Sequence, residues 1–270
     1  MTLRPAFAAA AVALLALLAP PARAEGVLAR YEVRARGLNV MRAEVLFDLS
    51  GPRYRVRTRV LPVGIGGLFG GGEQVSATEG SWRGADPLPR RHSSEGEWRG
   101  ARRAVLLDYA PPSGNGAAPL LRVLEPPIEA EREPVPDAMR RNTVDSLSAM
   151  AKLLRAVGDT GRCEGEAPVY DGRRRSDFRA WTEGTDELRR TGGGAFAGPA
   201  LRCGFLGHVV AGRHAGYERE NAGRPPQPVT AWVARPLPGR AAIPVLIEMQ
   251  GRWFGAIRIV LTGVEPAGTS

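Results

Sequence analysis

Lysine is nearly missing from this chain. Lys152 stands alone among 37 basic residues, so arginine carries almost all of the positive charge. Cysteine is as sparse, with only Cys163 and Cys203, and histidine stops at His92, His208 and His214. Two cysteines cannot supply the paired C-x-x-C ligands of a zinc module. There is no H-E-x-x-H, and His208 and His214 are spaced so that one helix face cannot present both. No metal site is expected. A G-x-S-x-G elbow is absent as well, because Ser81 and Ser94 lack the flanking glycine pair. The glycine-rich stretch 61–72 is not followed by the lysine of a phosphate-binding loop. Asp171 and Asp177 come nearest to a carboxylate pair, but both sit among arginines that would neutralise them. The sequence therefore singles out no catalytic residue and no cofactor.

Long apolar runs are missing too, except at the start. A basic opening with Arg4, an apolar run over 6–18 and the small-residue site Ala22-Arg23-Ala24 are the three parts of a secretory signal peptide. That run is about 13 residues, short of the roughly 20 that span a bilayer, and Pro20 and Pro21 break it. Cleavage is expected after Ala24, leaving 25–270 as a single periplasmic β-rich domain with no transmembrane segment. Loss of Arg4 and Arg23 lowers the formal charge from +9 to +7. A basic surface favours anionic partners. For an exported protein these are lipid head groups rather than nucleic acid.

What is present is period-two alternation. Val27, Ala29, Tyr31, Val33 and Ala35 form one face of a strand, and Met41, Ala43, Val45, Phe47 and Leu49 form the next. Tyr54, Val56, Thr58 and Val60 alternate with Arg53, Arg55, Arg57 and Arg59, whose charges must face water or an anion. Further strands are expected over 73–82, 88–98, 102–109, 120–124, 186–191, 201–211, 229–235, 243–250 and 253–264, with a turn at Gly251 and Arg252. Stretch 61–72, with Val63, Ile65, Leu68 and Phe69 among its glycines, reads as a kinked strand or an apolar flap over a cavity. The spacing of Val144, Leu147, Met150, Ala151, Leu154 and Val157 predicts one amphipathic helix over 143–157. Asn142 or Thr143 would cap it, and Gly158 would stop it. The fold class expected is mainly β: a single curved antiparallel sheet or partly open β-barrel with this one helix.

The stretch 162–181 organises the rest. Cys163 opens it, and an oxidising compartment pairs it with Cys203, closing a loop of 40 residues. In the chain-entropy picture that loop is worth about 4 kcal/mol. Asp171-Gly172 is a hairpin turn signal, followed by Arg173, Arg174 and Arg175. The plain reading is strand, turn and strand. The sharper one is an arginine clamp for a phosphate or carboxylate. Candidate binding residues are thus Tyr170, Asp171, Arg173, Arg174 and Arg175, with Leu68 and Phe69 from the flap.

The segments TVDSLSAMAKLL, CEGEAPVYDGRRRSDF and IPVLIEMQGRWFGAIRIVLTG, in this order after a signal peptide, resemble the exported bacterial family catalogued as domain of unknown function 3108. The resemblance implies a β-rich envelope protein and carries no activity with it. The function expected is binding of an amphiphilic envelope molecule, such as a lipid with an anionic head, or support of envelope maintenance. The alternatives are an adaptor for another envelope protein and, third, a hydrolase whose histidine, acid and hydroxyl meet only in three dimensions.

Overall fold

The computed structural model describes residues 26–69, 71–98, 100–109, 116–127, 132–190, 192–217, 226–251 and 255–268. The expected signal peptide lies outside the described residues, as does Arg252 of the expected turn. Seven strands come first: β1 (Val27–Ala35), β2 (Leu38–Asp48), β3 (Arg53–Pro62), β4 (Gly71–Arg83), β5 (Asp86–Trp98), β6 (Ala101–Asp108) and β7 (Leu120–Glu125). Helices α1 (Asp137–Arg140) and α2 (Ser146–Thr160) follow. The second half is β8 (Gly165–Tyr170), β9 (Arg175–Leu188), β10 (Gly198–Ala211), β11 (Val229–Ala234), β12 (Ile243–Gly251) and β13 (Gly255–Pro266).

All thirteen strands form one antiparallel sheet in the order β7-β6-β5-β4-β3-β2-β1-β13-β12-β11-β10-β9-β8. Each half is a meander, and β1 joins them by pairing with both β2 and β13. Bulges interrupt the register at Arg30/Tyr31, Val33/Arg34, Glu79/Gly80, Arg202/Cys203 and Trp232/Val233. Each adds twist and bend, and the sheet curls until its two edge strands, β7 and β8, approach without pairing. The fold is mainly β, one large antiparallel sheet that does not close, within the expected class of a curved sheet or partly open barrel.

Residues opposite one another in a ladder share a face, so the inner wall can be followed across strands. Val27, Phe47, Val56, Thr78, His92 and Leu107 are successive partners, and all are buried. Against this end of the wall lies α2, which buries Ala151, Leu154 and Val157 among Val45, Phe47, Val56, Cys203, Val233, Ile243 and Leu261. Full burial of side chains such as Leu154 or Phe47 stabilises by about 1.5–3 kcal/mol each. The helix fills one end of the curled sheet and sits inside it.

The helix begins three residues later than its periodicity predicts. Val144 is extended, and it bonds to the free edge of β8: its N–H donates to Pro168 O and its carbonyl accepts from Tyr170 N–H, both at 2.9 Å. Covering an exposed edge outranks adding a turn of helix. The cap is therefore Asp145 rather than Asn142 or Thr143. The helix also runs past Gly158 to Gly161, whose left-handed φ of 69° ends it with an N–H bond to Val157 O. Sequence reading missed the single turn of α1. The stretch 61–72 resolves into a 3₁₀ segment, Gly64–Phe69, ahead of β4. Expected strand 186–191 is the end of the long β9. Cys163 and Cys203 are bonded as expected, with Cα atoms 5.7 Å apart.

Candidate functional site

The inner wall changes character away from α2. Val33 lies opposite Met41 and Ile259, Ala43 opposite Val60, and Ile257 opposite Met249. By register all of these point inward. Yet Val33, Met41, Val60, Met249 and Ile257 are only partly buried, and Phe178, also inward through its partners Ala167 and Gly207, is 40% exposed. One end of the interior is thus plugged and the other is an apolar-walled mouth. On β3–β6 the mouth turns polar. Thr58, Ser76 and Ser94 are successive partners, as are Val60, Gln74, Gly96 and Arg103. Ser76 Oγ donates to Ser94 Oγ at 2.9 Å, and Gln74 Nε2 to the same oxygen at 3.3 Å. Arg103 is exposed and has no hydrogen-bond or ion-pair partner among the described residues.

The rim of the mouth is apolar at its tips. Leu38, Ile65, Leu68 and Trp98, which come from the start of β2, the 3₁₀ segment and the end of β5, are 56%, 45%, 84% and 42% exposed. The 3₁₀ segment is held down on β2: Val63 N–H donates to Val40 O at 3.0 Å, and Gly66 packs so closely on that carbonyl that a Cβ has no room. Leu68, predicted as part of a flap, is therefore at the lip of the mouth. The Phe69 side chain lies outside the described residues.

The other predicted binding residues are elsewhere, at the seam between the sheet edges. Asp171 organises the β8–β9 turn by accepting from the backbone N–H of Arg173 and Arg174 and from the Arg174 guanidinium at 2.7–3.0 Å. Arg173 lies in the turn, not in β9, and its guanidinium donates to the carbonyls of Glu125 and Pro126 just past β7. Arg175 donates to Met139 O, Ser176 O and Asp177. Tyr170 is buried with Val105, Leu107, Val135 and Ala211. The structure brings these five residues together, but with partners supplied by the protein itself, as the turn reading expects.

A second polar cluster escaped sequence reading. Asp145 Oδ1 accepts the Ser148 N–H at 2.9 Å, and Oδ2 accepts the Ser148 hydroxyl at 2.6 Å. The Ser148 proton is thereby used, so Tyr54 is the donor in its 2.8 Å contact with Ser148 Oγ. Thr78 Oγ1 lies 3.0 Å from Asp145 Oδ2, and His92 Nδ1 lies 3.3 Å from Oδ1. Burial pushes the Asp145 carboxyl up, but His92 and Ser148 together outweigh this and hold it below the ordinary value. Burial raises the Tyr54 phenol, against the smaller effect of its bond to Ser148. A histidine, an acid and a hydroxyl do meet here. They meet in the core, however, where Ser148 and Asp145 are wholly buried and the hydroxyl bonds to the acid. The cluster pins the start of α2 to β3, β4 and β5. Among the described residues no group of histidine, cysteine and acids is placed to hold a metal ion, and no helix is long and apolar enough to cross a membrane.

The family profile described as "Protein of unknown function (DUF3108)" matches residues 30–262. The chain belongs to this family. Its D-x-L-S segment is thus the buried cap of α2, and its Y-D-G-R-R-R segment is the seam turn. Among solved structures, the DUF3108 chain is similar to the β-barrel-like protein of domain of unknown function DUF1849 from Brucella abortus. The TM-score is 0.50 at 11% identity, over 92% of this chain and 100% of the other, a likeness of fold alone. No curated protein matches it. Arg103 was within reach of sequence reading, since it precedes Val105 and Leu107 at intervals of two on the same strand face. Asp145 was visible as a helix-start residue, but its partners Thr78 and His92 come from two distant strands.

Proposed function

We propose that this DUF3108 protein is an exported binding protein that holds an amphiphile in the unplugged half of its curled sheet, in the service of envelope maintenance. One observation carries this reading: inward-facing apolar residues, Val33, Met41, Val60, Phe178, Met249 and Ile257, remain partly exposed. Apolar concavities with a few placed polar groups are the usual form of a small-molecule site. Arg103, on the same inward-facing register as Gln74 and Ser94, is the group that would meet an anionic head, because an arginine fork pairs with carboxylate or phosphate oxygens. It takes the role that sequence reading gave to Arg173, Arg174 and Arg175.

Native mass spectrometry of protein purified without detergent tests this. An adduct of lipid-like mass is expected, lost in Arg103→Ser and in Met41→Asp but retained in Arg174→Ser. An adduct lost only in Arg174→Ser would return the clamp to the seam turn. A clean protein mass would favour the adaptor reading, supported by the exposed apolar rim, with crosslinking as the next step.

A further inference from the structure

The apolar tips of the rim are not explained by ligand binding inside the mouth. Leu38, Ile65, Leu68 and Trp98 project from three segments at one end of the molecule, with Leu61 at the end of β3 also exposed. Scattered apolar side chains are ordinary, but these share one end, opposite the plugged one. The charge around them is also uneven. Glu32 pairs with Arg34, Glu73 with Arg59, Glu95 with Arg102 and Glu248 with Arg258. Arg36, Arg42 and Arg103 are left with no hydrogen-bond or ion-pair partner among the described residues, and Glu97 is an acid near them that also has none. Arg36 also borders a recess of about 410 Å³ that Arg34, Met249 and Arg258 help to line.

We infer that this rim docks the protein, mouth first, on the surface of a bilayer containing anionic phospholipid. Single apolar side chains at the tips of turns suit insertion among head groups, where the apolar part enters the acyl boundary and nearby arginines meet phosphate. A second copy of the chain is the poorer occupant, since an isologous contact would set the unpaired arginines against one another. Docking depends on the rim alone and not on whether the mouth holds a ligand.

The test is flotation of the folded protein with phosphatidylcholine vesicles, with and without 30% phosphatidylglycerol. Binding is expected only to the anionic vesicles. Each unpaired arginine near the surface is worth about a fivefold change in partitioning, so the double change Arg36→Ser and Arg42→Ser should weaken binding about 25-fold. Salt should weaken the wild type far more than that variant. Leu68→Asp should abolish binding while circular dichroism and thermal melting stay unchanged, as expected at a side chain that is 84% exposed. Because both native cysteines are bonded, Leu68→Cys carries an environment-sensitive dye without interference, and its emission should shift blue on anionic vesicles. The same dye on Arg53→Cys, an exposed site at the plugged end, should not shift. Absence of binding overturns the inference. So does an equal shift at both sites, or concentration-dependent dimerisation that Leu68→Asp removes.

Discussion

Asp145 shows how much one side chain decides. It is wholly buried, caps α2, and accepts hydrogen bonds from the serine one turn on, while Thr78 and His92 approach from the sheet. Asp145→Ala would leave several buried polar groups unpartnered. It is expected to cost about 1–3 kcal/mol for each buried group left unsatisfied, read by urea denaturation. A pH dependence follows from the depressed carboxyl. A group whose folded value lies below its free value of 3.8 contributes stability that is present above 3.8 and lost as pH falls through the lower folded value. The stability difference between wild type and Asp145→Asn should therefore be constant above pH 3.8 and shrink below it. A difference that grows on acidification would show that the carboxyl is raised instead. The sequence showed Asp145 as a residue of the helix start and no more. Its sheet partners Thr78 and His92 are 67 and 53 positions away in sequence, and Tyr54, which reaches it only through Ser148, is 91 away; alternation identifies their face but not what meets it.

At the scale of elements, the β8–β9 turn and α2 hold the curled sheet in shape. Gly172 has a φ of 90°, and a Cβ there would meet Val105 Cγ1 at 2.5 Å. Gly172→Ala combines a left-handed backbone with overpacking, so about 2–4 kcal/mol of destabilisation is expected. Hydrogen exchange should rise first in β6 and β7, which the turn holds. If exchange rises only in β8 and β9, the turn does not secure the seam. Leu154 is 2% exposed on the buried face of α2, and Leu154→Ala should cost about 2–5 kcal/mol in the same assay. The helix and the Asp171-Gly172 turn were both legible because their signals are local: 3.6-residue spacing and a turn dipeptide. The helix start was not, because Val144 is claimed by the edge of β8, a competitor distant in sequence.

For the whole molecule, the closing feature is the seam. The connector between β7 and β8 carries both helices, so the chain leaves one edge of the sheet, fills one end of its interior and returns as the other edge. Arg173 ties the two edges through carbonyls past β7, and the Cys163–Cys203 bond holds the start of β8 to β10. Replacing both cysteines by serine is expected to destabilise the fold by about 2–5 kcal/mol. Faster exchange in β8–β10 than in β1–β3 would locate the effect. Equal loosening everywhere would mean that the bond restrains only the unfolded chain.

By itself, the sequence determined the strands, the antiparallel meander, the helix, the cysteine pair and the family, because each is read over a few residues or a short motif. Alternation depends on positions two apart, and a turn on two adjacent ones. Only the tertiary structure decided that the sheet stops short of closure and that α2 plugs one end and leaves a mouth at the other. It also decided that the triple arginine serves the seam while Arg103 faces the open interior. Those outcomes depend on the summed register of thirteen strands, in which each bulge shifts every later pairing, and no local window of sequence contains that sum.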